Sequence, residues 1–301
     1  MENEAGETEK RITEYDTIGP WSEIKLEIVS RYATEYSKVI TAQIKRGRRF
    51  HHAYIDAFAG PGVHLSRVSQ EFVQGSPLNA LIVEPPFREF FFIDLDGSKV
   101  EQLKNLIGQR QDVHIYQGDC NEVLLAQVFP RVQYEDYRRA LCLLDPYGLH
   151  LDWRVIQVAG EMRSIEIFLN FPVMDMNRNV LWSLPDQVPA EQRRRMTRFW
   201  GDDSWYEVVY KESPQMTLFG GPFYEKTGHR KIVEAFRRRL KEKAGFVYVP
   251  EPIPMRNTKG SVLYYLFFAS HNKTGKVIIE YIFNKFRGMI PELPKRESGQ
   301  S

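Results

Sequence analysis

Between residues 53 and 171 the sequence alternates five short apolar runs, 53–58, 89–93, 113–116, 140–144 and 164–171, with stretches of helical periodicity. The runs are apolar at nearly every position rather than at every second one, the pattern of strands buried on both faces. Strand and helix in alternation predict an α/β fold, a mostly parallel central sheet with helices on both faces. The intervening helices are expected near 78–82, 99–107, 122–129 and 153–162, and Gly75-Ser76-Pro77 supplies a cap and first turn for the first of them.

Other parts surround this series. Apolar residues at Trp21, Ile24, Ile28, Val29, Tyr32, Tyr36 and Ile40 follow Pro20 at helical spacing, so residues 21–45 read as a long amphipathic helix. Residues 175–222, rich in Arg, Trp and Tyr, break the alternation and read as a helical insertion with one helix at 191–200. A basic helix at 227–244 comes next. Two strands, 246–254 and 261–269, are separated by the polar turn 256–260 and so are antiparallel, and a last helix covers 277–286. The expected organisation is an N-terminal tail and helix over 1–50, one α/β domain over 51–290 with its insertion at 175–222, and a C-terminal tail over 291–301. Both tail ends lack apolar periodicity and are expected to fray.

Composition narrows the classes of function. The longest apolar run, Val262–Ala269, has eight residues, whereas a bilayer-spanning helix needs about twenty, so no membrane span is expected. The acidic, polar start of the chain is unlike a secretory leader. Two cysteines, Cys120 and Cys142, are too few for a disulfide scaffold or a Cys-rich zinc site and fit a reducing cytoplasm. No metal site is expected. With 41 basic and 39 acidic side chains the net charge is +2, so any nucleic-acid binding has to rest on local clusters. Such clusters occur at Arg46, Arg48 and Arg49, at Arg193, Arg194, Arg195 and Arg198, and at Arg230, Lys231, Arg237, Arg238, Arg239, Lys241 and Lys243. Interleaved with Trp200, Trp205 and Tyr206, they can track phosphates and stack on unpaired bases, or they can form plain solvated helix faces.

In open parallel sheets ligands bind beyond the carboxyl ends of the strands, where the strand order reverses. Four polar groups fall at such ends. In Asp56-Ala57-Phe58-Ala59-Gly60-Pro61-Gly62 a strand runs into a glycine turn, which lets the backbone approach a ligand closely; a plain tight turn reads as well from this stretch alone. Asp94 can accept both hydroxyls of a ribose or cap the next helix, a role open to Asp96 too. Asp119 can receive the amino group of an adenine or cap the helix beginning at Asn121. Asp145-Pro146-Tyr147-Gly148 combines a carboxylate, a rigid carbonyl and a flat ring, which suits a planar amine, and it is also a plausible Pro-Gly turn. Four suitable groups at the ends of four consecutive strands are hard to produce by turn chemistry alone.

This order of residues resembles the class I S-adenosylmethionine-dependent methyltransferases, which have a Rossmann-like fold. More specifically, Gly19-Pro20-Trp21, Tyr54-Ile55-Asp56-Ala57-Phe58-Ala59-Gly60-Pro61-Gly62, Gly75-Ser76-Pro77, Phe92-Ile93-Asp94, Leu144-Asp145-Pro146-Tyr147-Gly148 and Phe268-Ala269-Ser270-His271-Asn272 are similar to the three-Cys-motif partner proteins. The likeness runs from about residue 19 to about residue 281. It implies S-adenosylmethionine as cofactor, with Gly60 and Gly62 against the methionine part, Asp56 near the amino group, Asp94 on the ribose and Asp119 near the adenine. Phe58, in the same strand-end stretch, belongs to that cofactor set. Asp145, Pro146 and Tyr147 then face the methyl acceptor.

The activity implied is N-methyl transfer to a DNA or RNA base by direct in-line attack, with Arg194, Arg198, Arg237 and Arg238 as candidate nucleic-acid contacts. No covalent intermediate is expected, since Cys142 lies inside a strand and Cys120 reads as a packing residue. One proline followed by Tyr147-Gly148 departs from the Asp-Pro-Pro-Tyr pattern of the DNA amino-methyltransferases and is closer to the tRNA guanine-N2 methyltransferases. The same resemblance implies a partner protein with a three-cysteine motif, itself similar to radical S-adenosylmethionine proteins. The alternative reading is therefore a non-catalytic, cofactor-binding partner of such a protein.

Overall fold

The computed structural model describes residues 16–216, 222–257 and 260–288. The ends expected to fray and part of the 256–260 turn lie outside the described residues. Seven strands form the central sheet: β1 (His51–Asp56), β2 (Glu89–Asp94), β3 (Val113–Gln117), β4 (Arg138–Leu144), β5 (Ile165–Phe171), β6 (Ile253–Arg256) and β7 (Val262–Ala269). Their spatial order is β6-β7-β5-β4-β1-β2-β3. Strands β1 to β5 are parallel, and β7 is antiparallel to both β5 and β6. The chain thus builds outward from β1 to β3 and then returns to place β4 on the other side of β1. The strand order reverses between β1 and β4, where an open sheet leaves its ligand crevice.

The helices of ten or more residues are α1 (Pro20–Lys45), α2 (Gly97–Ile107), α3 (Trp153–Met162), α4 (Ala190–Trp200), α5 (His229–Glu242) and α6 (Lys273–Arg287). Because successive side chains of a strand point to opposite faces, the apolar runs divide between two cores. Ala53, Ile55, Phe91, Ile93, Cys142 and Ile167 pack with residues of α3, α4 and α5. Tyr54, Phe90, Phe92, Leu141, Leu143 and Phe168 pack with α1, α6 and Leu103 of α2. The expected α/β architecture, with helices on both faces and an antiparallel pair near the C-terminus, is present.

Several local expectations change. Of the strand placed at 246–254, only Ile253 onward joins the sheet, preceded by a single bridge between Tyr248 and Ser270; Pro250 and Pro252 have no N–H to give a ladder. The helix placed at 122–129 begins at Cys120, widens into a π turn over Leu124–Val128 and closes as a 3-10 turn at Phe129–Arg131, where Pro130 has no N–H to continue it. Between Gly62 and Gly75 a hairpin of Val63–Ser66 and Phe72–Gln74 projects and is joined by Thr17–Ile18.

The insertion holds more than α4. It also contains the helices Val173–Asn179 and Trp205–Val209 and a hairpin of Tyr210–Met216 with Pro222–Lys226. Two of its aromatic residues, Trp200 and Trp205, are not open to unpaired bases. Trp200 is 0% and Trp205 3% exposed, because Met196, Phe199 and Trp200 share the face of α4 that closes one core. Among the described residues, no helix is long and apolar enough to cross a membrane, and no group of three or more His, Cys, Asp or Glu is placed to hold a metal ion.

Candidate functional site

The glycine turn leaves β1 with Gly60 at φ +64° and Gly62 at φ +87°, a region that favours glycine. A Cβ on Gly62 would stand 2.8 Å from Leu103 of α2. The turn is clasped from below: Gly60 donates its N–H to Asp94 Oδ2 at 2.8 Å, and Ala59 donates to the Ile93 carbonyl at 2.8 Å. Gly75 donates to the Gly62 carbonyl at 2.7 Å, so the projecting hairpin starts and ends at one point and the short helix Ser76–Leu81 begins beside the turn.

The alternatives left open for the acids separate here. Asp96 is the helix cap, accepting the Ser98 N–H at 2.8 Å. Asp94 instead ties the end of β2 to the glycine turn, and its Oδ1 accepts the Asp96 N–H at 2.9 Å. A carboxylate has about four acceptor positions, so Asp94 keeps capacity for a ligand. Asp119 does cap the helical stretch from Cys120, accepting from the Asn121 N–H at 2.7 Å. Asp56 is fully buried under the turn and accepts the Phe58 N–H at 3.2 Å. Burial pushes its carboxyl up to about 7, against the opposing pull of Ser76 and the Phe58 amide. Leu95, next to Asp94, is 73% exposed.

At the end of β4, Asp145 is held by residues from two other elements. Lys25 of α1 forms an ion pair with Asp145 Oδ2, and Asn170 of β5 donates its Nδ2 to Oδ1 at 2.9 Å. Lys25 Nζ also lies 5.5 Å from the ring centroid of Tyr264 of β7. Burial alone would lower the pKa of Lys25; the charge and hydrogen bond of Asp145, with Tyr264 and Tyr147, together outweigh it and hold the ammonium above the ordinary lysine range. Tyr147 stands 71% exposed beyond the strand, with Lys99 Nζ 5.8 Å from its ring centroid. Gly148 adopts φ +65°, and a Cβ there would stand 2.7 Å from Asp175 Oδ2. Asn170 Oδ1 and Asp175 Oδ2 are buried without a hydrogen-bond partner, a costly state that an incoming donor would relieve.

Sequence reading missed Lys25, Asn170 and Tyr264. Lys25 did leave a signal, since it falls four residues from both Trp21 and Val29, on the apolar stripe of α1. Asn170 interrupts the run Ile-Phe-Leu-Asn-Phe. Pairing between such residues depends on which strands become neighbours.

The arginine clusters divide. On α4, Arg195 Nη2 lies 2.9 Å from His150 Nε2 and Arg198 Nε 3.4 Å from Asp152, so this helix borders the loop after Gly148. Arg194 is exposed and paired with Glu191. On α5, Arg237 donates Nε to the Val249 carbonyl at 2.8 Å, and Arg238 is exposed. Neither forms a hydrogen bond or ion pair with Asp94 or Asp145 among the described residues. Arg239 packs against Trp153 and Trp200 and pairs with Asp202. Burial holds both thiols protonated, Cys120 up to about 12 and Cys142 well above the usual range, so neither is an available nucleophile.

No protein-family model matches the chain, and no curated protein matches it in sequence. Among solved structures, protein LPL1258 of Legionella pneumophila, from family DUF519, aligns with a TM-score of 0.51 at 10% identity, covering 87% of this chain and 91% of the other. A candidate methyltransferase of Thermobifida fusca aligns at 0.41 with 16% identity, over 82% and 79% of the two chains. A candidate S-adenosylmethionine-dependent methyltransferase of Listeria monocytogenes aligns at 0.39 with 13% identity, over 80% and 98%. Identities this low speak to fold alone. The fold, with its reversal between β1 and β4 and its antiparallel β7, is the Rossmann-like class I methyltransferase fold.

Proposed function

We propose that the chain is an S-adenosylmethionine-dependent N-methyltransferase whose acceptor is an amine on a nucleic-acid base. The observation that carries this reading is the position of Asp145-Pro146-Tyr147 at the strand reversal, beside a glycine turn clasped by Asp94. The residues fit the cofactor: the backbone at Gly62 has no room for a side chain, Asp94 retains acceptor capacity for ribose hydroxyls, and exposed Leu95 offers an apolar face for an adenine. When bound, the cofactor supplies an electrophilic methyl group on a sulfonium.

The chain's own residues hold and orient the amine. Lys25 and Asn170 fix the Asp145 carboxylate in one orientation, with lone pairs left to accept an N–H of the acceptor. The Pro146 carbonyl can take the second N–H, and the exposed Tyr147 ring stacks on the base. With both N–H groups bonded, the nitrogen lone pair would be left for the methyl group that the cofactor would supply, and Asp145 would stabilise the positive charge on nitrogen until its proton is lost to water. Arg195 and Arg198, bordering the same loop, support a polyanionic acceptor.

A second reading, a cofactor-holding but non-catalytic partner of a three-Cys-motif protein, is favoured by one feature: both oxygens of Asp145 already have protein partners. Incubation with methyl-labelled cofactor and separate DNA and RNA pools distinguishes the two. A labelled base that disappears with Asp145→Ala supports catalysis. Tight cofactor binding with no labelled base in either pool, with or without the partner, removes it.

A further inference from the structure

At the opposite end of the sheet a second cavity, of about 510 Å³, opens between α1, the amino ends of β4 and β5, and the start of α6. It lies six residues along β4 from Asp145 at Arg139, roughly 20 Å at strand rise. Four cations line it, Arg48, Arg139, Arg163 and Lys273, and none has a carboxylate within ion-pair distance among the described residues. Elsewhere Arg131 and Arg138 pair with Glu89, Arg194 with Glu191 and Arg239 with Asp202.

Two further observations point to a ligand. Ser164, also in the lining, is 2% exposed and its Oγ has no hydrogen-bond partner. The amino end of α6, capped by Asn272 and fifteen residues long, faces the same space through Lys273 and Thr274 and adds the partial positive charge of its dipole. Anion recognition is therefore built from a helix start, four unpaired cations and an unused hydroxyl. The lining also carries aromatic rings: Phe50 and Tyr134 both lie against the Arg139 guanidinium, 5.0 and 3.8 Å from it to the ring centroids. Aromatic rings next to a cationic anion site suit a ligand that carries a flat ring and a phosphate together, and the volume falls in the range of small-molecule sites.

We infer that this cavity binds a mononucleotide, with its phosphate on Arg163, Lys273 and the start of α6 and its base against Tyr134 and Phe50. Glu166 lies deeper in the same cavity, hydrogen-bonded to Tyr32 of α1. Helix α1 thus touches this cavity through Tyr36 and the Asp145 site through Lys25. The inference does not depend on the chain being a methyltransferase.

The test is equilibrium binding to the full-length protein of AMP, GMP, adenosine, inorganic phosphate and a 5′-phosphorylated tetranucleotide. A mononucleotide is expected to bind better than adenosine or phosphate alone. Arg163→Gln with Lys273→Gln, both exposed positions that leave the core untouched, is expected to weaken it by roughly tenfold or more, as loss of charge-assisted contacts does. Asp94→Ala is expected to leave it unchanged. No binding of either mononucleotide at millimolar concentration, binding confined to the tetranucleotide, or binding abolished by Asp94→Ala and untouched by the double variant would each overturn the assignment. Melting temperatures of the variants, equal to that of the parent, show that the change is local.

Discussion

Where the parallel strands end stand Asp56, Asp94 and Asp145; where they begin stand Arg138, Arg139 and, just before β5, Arg163. The acids at the carboxyl end are engaged by the fold itself: Asp94 by the Gly60 amide, Asp145 by Lys25 and Asn170, Asp56 by burial beneath the turn. At the amino end the charges divide. Arg131 and Arg138 share Glu89, while Arg139, Arg163 and Lys273 around the cavity have no such partner. Charges locked by the fold position a reacting group, and charges left unpaired over a cavity attract one from outside.

The largest effect expected from breaking this contrast is at Asp145. Removing one partner of a largely buried ion pair leaves the other charge stranded, so Asp145→Ala should cost about 2–4 kcal/mol in urea unfolding. Lys25→Met with Asp145→Ala should recover part of that loss, because the two changes share one interaction. At the unpaired end Arg139→Ala should cost about 1 kcal/mol, the size of a cation–π contact. Equal costs at the two ends would break the comparison.

Glycine substitutions come next. Gly62→Ala meets both an unfavourable φ and Leu103, so about 2–3 kcal/mol should be lost along with cofactor affinity. Gly47 has a similar φ of +86° and open space around it; Gly47→Ala should cost only about 1 kcal/mol. The same urea titration measures both.

Each end also holds a buried acid that responds to pH. Burial raises Asp56 from 3.8 and Glu166 from 4.5, both to about 7. Between those values and about 7 the folded state keeps protons that the unfolded state has released, so these groups make stability fall as pH rises through that window and level off above it. Asp56→Asn and Glu166→Gln should each flatten the slope of urea midpoint against pH between 5 and 7. An unchanged slope in both would contradict the burial argument. Smallest of all is Arg194→Ala: its exposed pair with Glu191 should contribute less than about 0.5 kcal/mol.

Much of this is legible in the sequence. The strand runs end within a few residues of the observed strands because their residues are apolar at consecutive positions, and the strand-end acids follow directly from that. The helix α3 was placed at its observed bounds, since Val155, Ile156 and Ala159 repeat at helical spacing. What sequence could not show were relations across space. Lys25 and Asp145 are 120 residues apart and meet only because α1 packs across β4 and β5. Trp200 and Trp205 sit among arginines in the sequence, as a nucleic-acid surface would place them, yet both are buried in the core. The amino-end cavity has no contiguous motif; its arginines come from a loop (Arg48), a strand (Arg139) and a helix end (Arg163).

The central claim is that the glycine turn and Asp94 hold the cofactor while Asp145 acts on the acceptor. Calorimetric titration of S-adenosylmethionine into the parent protein, Asp94→Ala and Asp145→Ala tests it most directly. Binding by the parent, weakened by roughly tenfold or more in Asp94→Ala, as loss of a charged hydrogen-bond acceptor does, and preserved in folded Asp145→Ala is the result expected. Absence of binding at millimolar cofactor by folded parent protein, or equal affinity in Asp94→Ala, would contradict it.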